Sequence, residues 1–158
     1  NKRKGASPKL DSPILVDNAD GLITSYARCC HPIPGDLILG HISPGRGLVV
    51  HRDSCKNLND VRSNAEKCMP LNWSSSVKGE FPVELKLEVC SDRGIVATLA
   101  ARITEQDATI DQINIKEQDT HSSIINLIIG VKDRIHLANI MRRIRGLKSV
   151  QAVYRIKN

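Results

Sequence analysis

Aromatic side chains are scarce in this 158-residue sequence, which contains one Phe, one Trp and two Tyr. We therefore expect an aliphatic core, and no row of aromatic rings is available to stack the bases of single-stranded nucleic acid. The sequence also lacks an apolar run long enough to span a membrane and a recognisable signal peptide. With 41% hydrophobic and 25% charged residues, these absences predict a globular cytoplasmic protein that makes no membrane contact.

Cysteine is present in an odd number. The five cysteines do not follow the pattern of a disulfide-stapled secreted domain, which favours a reducing compartment with metal-bound or free thiols. The net charge of +6 allows weak attraction to RNA or to an acidic surface without requiring it. The sequence begins Asn-Lys-Arg-Lys rather than with Met, so we expect a segment of a longer protein.

Three cysteines and one histidine are concentrated between residues 29 and 55. The first two lie in CCHPIPGD at 29–36, and the others lie in HRDSC at 51–55. Sulfur and imidazole nitrogen are the ligands that hold zinc in a tetrahedron. The spacing of four residues in the second motif lets both side chains point the same way at the start of a helix. The candidate zinc ligands are therefore Cys29, Cys30, His51 and Cys55.

Adjacent ligands at Cys29 and Cys30 present a difficulty, because neighbouring side chains of an extended segment point to opposite faces. Asp36, Asp53 or His31 could complete the metal shell in place of one cysteine. The same cluster is also compatible with buried thiols that bind no metal and pack as small hydrophobic groups.

The first half of the chain alternates short apolar runs with turn residues. We expect a linker over residues 1–20 that includes a strand near 14–16, followed by a β-rich domain over 21–74. Ser-Pro-Gly-Arg at 43–46 separates two β-rich runs and predicts a hairpin. The other predicted elements are strands at 23–26 and 69–73 and a helix from Ser54 to about Ser63, with Ser54 as its N-cap.

The second half, residues 83–158, follows a polar linker predicted at 75–82. Alternating apolar residues predict strands at 83–89, 113–115, 125–131 and 150–156, the last with Val150, Ala152, Tyr154 and Ile156 on one face. Helical spacing predicts helices at 96–103 and 137–144, with Asp92 near the start of the first and Gly146 as the C-cap of the second. The order β-α-β-β-α-β is that of a split βαβ, ferredoxin-like fold, so the fold class is α+β.

These motifs resemble a known family. The stretch CCHPIPGDLILGHISPGRGLVVHRDSC at 29–55 resembles the conserved-cysteine or zinc-finger domain in the C-terminal region of the long RelA/SpoT stringent-response enzymes. Residues 83–158 resemble the ACT domain that ends those enzymes, and the tail from Val131 is most similar to the bifunctional SpoT branch. The resemblance assigns the metal-ligand positions to Cys29, Cys30, His51 and Cys55.

The resemblance implies a regulatory role and no catalysis within this sequence. In that family the synthetase and hydrolase sites for guanosine tetra/pentaphosphate, with their Mn and Mg ions, lie in the N-terminal half, and this sequence has no His-Asp pair and no P-loop. We expect control of the synthesis/hydrolysis balance through other domains of the parent, the ribosome or tRNA. The candidate RNA or partner contacts are Arg46, Arg142, Arg143 and Arg145, although a solvated loop and a helix C-terminus explain these cations equally well.

Two other functions fit the same pattern. ACT domains in other proteins bind amino acids at the first loop and helix, usually across a dimer interface. That resemblance places a branched-chain amino acid near Asp92, Arg93, Gly94 and Ile95, where a plain turn is the simpler interpretation. The remaining hypothesis is an architectural module whose zinc stabilises the fold or a dimer.

Overall fold

The structure, a computed structural model, describes residues 14–16, 24–59 and 68–156 and contains two sheets. The first sheet has the strand order β1-β5-β3-β4-β2 and the second has the order β7-β8-β6-β9. The strands of the first sheet are β1 (Ile14–Val16), β2 (Thr24–Tyr26), β3 (Ile38–Ser43), β4 (Gly47–Arg52) and β5 (Met69–Trp73). The second part contains β6 (Phe81–Cys90), α1 (Ile95–Glu105), β7 (Thr109–Glu117), β8 (Ser122–Val131), α2 (Arg134–Arg145) and β9 (Val150–Arg155).

The centre of the first sheet is the predicted hairpin. Strands β3 and β4 pair antiparallel from Ile38 opposite Arg52 to Ser43 opposite Gly47. Two short parallel pairings, β2 with β4 and β1 with β5, extend the sheet on either side. Because successive side chains alternate between faces, the sheet separates an aliphatic cluster on one side from the cysteine-containing cluster on the other.

The predicted helix after the hairpin begins later than expected. The described part is a single 3-10 turn, Lys56–Leu58, and Cys55 occupies the N-cap position without a side-chain hydrogen bond. The assignment of Ser54 as N-cap is therefore wrong: Ser54 is exposed, whereas Cys55 is fully buried and holds the chain against the sheet. Residues 60–63 of the predicted helix lie outside the described residues, as does the predicted linker over 1–20 apart from Ile14–Val16.

The second sheet confirms the split βαβ order and the α+β class. All of its pairings are antiparallel, with β6 between β8 and β9. Both helices pack on one face over an aliphatic core that includes Leu85, Leu99, Leu127 and Ile140. Strand β6 starts at Phe81, two residues before the predicted strand, because the Phe81 side chain is buried. Neither described helix is long and apolar enough to cross a membrane.

Strand β9 differs from the predicted alternation. Val150 and Val153 are buried, whereas Tyr154 is 49% exposed. The cause is a register shift. Glu88 pairs with Ala152 and Val89 pairs with Val150, so Gln151 is an extra residue in β9. The extra residue in β9 rotates the rest of the strand, which turns the predicted inward face outward. The edge strand β7 is exposed along most of its length.

A small aromatic cluster joins the two sheets. Tyr26 stacks on Trp73 with ring centroids 5.8 Å apart, and Phe81 meets both rings edge-on at 5.4 and 5.5 Å. Three of the four Phe, Trp and Tyr residues of the chain are thus at this junction. Ile33, from the loop after the paired cysteines, is fully buried in the core of the second sheet. The cysteine-rich module is therefore packed directly against the βαββαβ domain.

Candidate metal centre

Four ligand atoms converge on one face of the first sheet. The side chains of Cys29, Cys30, His51 and Cys55 offer three sulfurs and one imidazole nitrogen that all lie within 4.8 Å of one another. Cys30, His51 and Cys55 are buried, and Cys29 is partly exposed. The structure thus brings together the four residues singled out in the sequence.

A tight turn removes the difficulty of adjacent ligands. Residues 28–30 form a turn in which the His31 amide donates to the Ala27 carbonyl at 3.0 Å. His31 itself has φ of +45°, an uncommon left-handed conformation for a residue other than glycine. Because the segment is curled and not extended, Cys29 and Cys30 no longer point to opposite faces, and their sulfurs lie 3.9 Å apart.

The other two ligands come from the end of the hairpin. His51 lies in β4, and the Cys55 amide donates to the Arg52 carbonyl in the turn that follows. This turn brings Cys55 back beneath the sheet, where its sulfur is 3.6 Å from that of Cys29. The Cys30 sulfur also accepts a hydrogen bond from the Arg52 amide at 3.3 Å.

Four of the six distances between these ligand atoms suit a tetrahedral zinc site, and none of the six exceeds 4.8 Å. With Zn–S bonds of about 2.3 Å and a Zn–N bond of about 2.0 Å, tetrahedral ligands lie roughly 3.8 Å apart for two sulfurs and roughly 3.5 Å apart for sulfur and nitrogen. The Cys29 sulfur lies 3.9 Å from the Cys30 sulfur and 3.6 Å from the Cys55 sulfur, on either side of the expected sulfur–sulfur distance. His51 Nδ1 lies 3.5 Å from the Cys29 sulfur and 3.7 Å from the Cys30 sulfur. The donor set and these four distances therefore suit zinc, which His51 would bind through Nδ1.

The surroundings set the protonation of these groups. Burial raises the pKa of the Cys30 thiol to about 12, and the nearby Cys29 and Cys55 add to the increase although the Arg52 amide opposes it. Burial, with a smaller contribution from His41, lowers the pKa of His51. The lowered pKa favours the neutral imidazole of His51, the form that binds a metal, whereas the Cys30 thiol would have to release its proton to solvent when a metal binds.

The alternative ligands considered from the sequence lie elsewhere. Asp36 is buried, but its carboxylate oxygens accept hydrogen bonds from both terminal nitrogens of Arg155, at 2.8 and 2.6 Å. Asp53 is exposed. Neither these two carboxylates nor His31 belongs to the group of converging ligand atoms. The four clustered residues therefore offer four ligands without any of these alternatives.

A groove opens beside the cluster. It has a volume of about 650 Å³, and its walls include Arg28 and Arg46 together with Cys29, His41 and His51. Arg46 lies at the exposed tip of the hairpin, as predicted. None of the described residues that line this groove carries a carboxylate, so its charged side chains are cationic.

His41 is a member of this site that the sequence analysis left out. Its Nε2 lies 3.3 Å from Nε2 of His51, and the two rings are roughly parallel with centroids 5.3 Å apart. His41 pairs with Val49 in the hairpin register, while His51 pairs with Leu39. The two histidines are therefore diagonal neighbours on the same face of the sheet. This relationship follows from the pairing of β3 with β4.

The predicted amino-acid loop borders a second groove, of about 260 Å³, lined by residues that include Asp92, Arg93, Ile95, Val96 and Ile115. Both Asp92 carboxylate oxygens are engaged: one accepts from the Gly94 amide at 2.9 Å and the other from the Ser149 hydroxyl at 2.7 Å. These bonds lower the pKa of Asp92. Gly94 is the N-cap of α1, so Asp92 lies near the start of this helix, as predicted.

Three of the four arginines predicted as RNA or partner contacts lie exposed in the last turn of α2. They are Arg142, Arg143 and Arg145, and Gly146 follows them as the C-cap, as predicted. Gly146 has φ of −71°, so the helix ends without a left-handed residue. This cationic turn belongs to the second sheet's domain, whereas Arg46 belongs to the cysteine-rich module.

A cysteine- and histidine-bearing β module packed on an antiparallel βαββαβ sheet defines a two-domain protein of a recognisable class. Residues 14–74 match the RelA/SpoT RIS domain, and residues 78–155 match the ACT domain. The second match confirms the predicted ferredoxin-like ACT fold. A crystal structure of the ACT domain from GTP pyrophosphokinase of Chlorobium tepidum is also similar, at 23% identity and a TM-score of 0.44, over 49% of this chain and all of that one.

Full-length relatives agree with both matches. The chain is 41% identical over 145 residues to the bifunctional (p)ppGpp synthase/hydrolase SpoT of Escherichia coli K12, covering 90% of this chain and 20% of that protein. It is 26% identical over 146 residues to the bifunctional (p)ppGpp synthase/hydrolase RelA of Mycobacterium tuberculosis, covering 92% of this chain and 20% of that protein. The chain belongs to the RelA/SpoT family. It spans about a fifth of the length of these relatives and corresponds to their C-terminal regulatory region, outside their catalytic domains.

Proposed function

We propose that this chain is a zinc-stabilised regulatory segment that controls the balance between (p)ppGpp synthesis and hydrolysis in the enzyme of which it forms part. One observation carries the proposal: the ligand atoms of Cys29, Cys30, His51 and Cys55 converge within 4.8 Å in a RIS module that is packed against an ACT domain. Family membership supports the regulatory role, and the donor set supports the metal.

The role of zinc here is structural. Four protein ligands complete its coordination and leave no open position for a substrate or an activated water. Zinc would neutralise the clustered thiolates and fix the turn at 28–31 relative to the end of the hairpin. The module then presents a defined surface to the rest of the enzyme and to its partners, which an unliganded loop would not.

Cationic surfaces are the features through which this segment contacts RNA, either of the ribosome or of tRNA. The groove that carries Arg28 and Arg46 and the exposed cationic turn at the end of α2 both suit phosphate groups. The sites bind through charge, so the affinity falls steeply with salt. The Arg46→Gln variant should weaken RNA binding and reduce its salt dependence, whereas substitution at the exposed Asp53 should not.

The test of the proposed function uses the full-length enzyme. Cys55→Ser removes one zinc ligand, and Cys68→Ser removes a half-buried thiol outside the cluster. We expect Cys55→Ser to alter the ratio of synthesis to hydrolysis, and its response to ribosomes with uncharged tRNA, while Cys68→Ser retains the wild-type ratio. A Cys55→Ser enzyme that has lost its zinc but keeps the wild-type ratio under all conditions would refute the proposal.

A second candidate function is amino-acid sensing at the ACT loop. It is favoured by the groove of about 260 Å³, whose walls combine apolar side chains such as Val96 and Ile115 with the carboxylate of Asp92. A branched-chain amino acid would place its side chain on the apolar wall. Titration calorimetry with valine, isoleucine and leucine tests this function, and the absence of heat at millimolar ligand would exclude it.

A further inference from the structure

The loop that carries the first two proposed zinc ligands also contacts the ACT domain. It leaves the cluster at Cys30, buries Ile33 in the ACT core and ends at Asp36. The Pro34 carbonyl accepts a hydrogen bond from the Arg134 amide at 2.8 Å, at the start of α2. Only five residues separate Cys30 from Asp36, so the position of one end constrains the other.

The far end of the loop is held by a buried ion pair. Asp36 receives two hydrogen bonds from Arg155, the last residue of β9, and the carboxylate and guanidinium are 5% and 11% exposed. Arg155 also donates a hydrogen bond to the carbonyl of His31 at 3.1 Å. His31 is the residue directly after the paired cysteines. A planar guanidinium that forks onto a carboxylate fixes orientation as well as distance.

Arg52 joins this ion pair to the metal centre from the other side. Its backbone amide donates to the Cys30 sulfur, and its guanidinium lies 3.7 Å from the Asp36 carboxylate. Arg52 directly follows His51, a zinc ligand. The Asp36 carboxylate is thus connected to both halves of the cluster, through the loop on one side and through the end of β4 on the other.

We propose that metal binding at the cysteine cluster and docking of this module on the ACT domain are a single linked equilibrium, transmitted by Asp36 between Arg52 and Arg155. This inference rests on the proposed zinc site. With zinc bound, the turn at 28–31 is fixed and holds the loop where Asp36 meets Arg155. Without zinc the start of the loop is held only by the hydrogen bond from the His31 amide to the Ala27 carbonyl and by weak thiol contacts, and the ion pair loses its alignment. Linkage requires the converse as well: weakening the ion pair lowers zinc affinity.

The first experiment measures zinc affinity of the chain by competition with a chromophoric chelator. Arg155→Gln removes the ion pair, and Arg155→Lys keeps the charge but loses the fork. Arg143→Gln is the matched control, because it removes the same charge from an exposed position of the same domain. We expect affinity to fall about 10-fold in Arg155→Gln, the range seen when groups that support metal ligands are removed, less in Arg155→Lys, and not in Arg143→Gln.

The reciprocal experiment removes zinc from the wild-type chain and follows amide hydrogen exchange by NMR. The Arg134 amide reports docking, because its acceptor is the Pro34 carbonyl across the junction. We expect its exchange to accelerate at least about 10-fold on chelation, while amides in the middle of β8 keep their protection. This readout requires no variant and holds even if Arg155→Gln does not fold.

Two results overturn the coupling. One is a folded Arg155→Gln or Arg155→Lys chain that binds zinc with wild-type affinity. The other is unchanged exchange of the Arg134 amide after zinc has been removed. A wild-type chain that binds no zinc would overturn the proposed zinc site and the coupling together, so the failure of the site and the failure of the linkage are distinguishable.

Discussion

The Nε2 atoms of His41 and His51 lie 3.3 Å apart at the edge of the cysteine cluster. In the proposed zinc site His51 would bind the metal through Nδ1, so its Nε2 would carry the proton and donate to His41. Such a contact fixes the ring and the tautomer of a metal-binding histidine. In the proposed site His41 would therefore position the zinc ligand His51.

This relationship predicts the effect of replacing His41. His41→Leu should lower zinc affinity about 10-fold, because the Nε2 proton of His51 loses its acceptor. His41→Gln supplies an amide oxygen and should retain most of the affinity. Chelator competition on both variants measures the difference, and equal affinities for Leu and wild type would show that the contact plays no part in binding.

The hairpin places Gly40 where no side chain fits. A Cβ atom there would lie 2.5 Å from Leu71 Cδ1, 2.9 Å from Leu48 Cδ1 and 3.2 Å from the Val49 carbonyl oxygen. Both leucines are buried, so neither has room to move away. Gly40→Ala should therefore reduce the free energy of unfolding by about 1–3 kcal/mol.

Gly146→Ala is the matched control for that substitution. Gly146 has a right-handed conformation, and the nearest atom to an added Cβ is the Arg143 carbonyl oxygen at 3.4 Å. Stability should be unchanged or raised by up to about 1 kcal/mol. Urea denaturation followed by circular dichroism compares the two variants, and equal losses would contradict the packing described around β3.

Phe81 anchors the junction between the two domains. Its ring is 3% exposed and contacts both Tyr26 and Trp73. Phe81→Ala should cost about 3–5 kcal/mol of stability, whereas Tyr154→Ala, at a position 49% exposed, should change stability by no more than about 0.5 kcal/mol. Thermal melting of the two variants provides the comparison. A small loss at Phe81 would mean that the aromatic cluster contributes little to the junction.

The Asp92 carboxylate gives a prediction about pH. Hydrogen bonds from Ser149 and Gly94 lower its pKa below the usual 3.8. A depressed carboxyl pKa stabilises the fold above the unfolded value, and this contribution is lost as pH falls through the folded pKa. Ser149→Ala should therefore raise the pKa of Asp92 towards 3.8 and destabilise the chain at pH values above 3.8, with an effect that disappears as pH falls through the folded pKa.

An NMR titration of the Asp92 side-chain carboxyl carbon measures that change directly. Thr98→Ala serves as control, because the Thr98 hydroxyl donates to the Gly94 carbonyl and does not touch the carboxylate. An unchanged Asp92 pKa in Ser149→Ala would show that the hydroxyl does not stabilise the charged form.

Local patterns were sufficient to predict most elements of this fold. The Ser-Pro-Gly-Arg turn predicted the hairpin of β3 and β4, and alternation and helical spacing predicted the βαββαβ order. The same patterns failed at β9, because one inserted residue in the pairing with β6 moved Val153 inward and Tyr154 outward. Such an insertion depends on the partner strand and leaves no mark in the periodicity of β9 itself.

The sequence was sufficient to single out the four clustered residues, but not the contacts that hold them together. Cys29, Cys30, His51 and Cys55 are identified by residue type and spacing, whereas the curl that unites the first two depends on the conformation of His31. The bond between Asp36 and Arg155 spans 119 residues, and a contact of that separation is fixed by how two domains pack. Neither feature has a local sequence signal.

The zinc content of the purified chain is the most direct test of the account. Metal analysis should find one zinc per chain in the wild type and in Cys68→Ser, and loss of that zinc in Cys55→Ser. Native mass spectrometry assigns the metal to the folded protein and gives the number of zinc ions per chain. A folded wild-type chain without zinc, or a Cys55→Ser chain that retains it at full occupancy, would contradict the assignment of these four side chains as a metal centre.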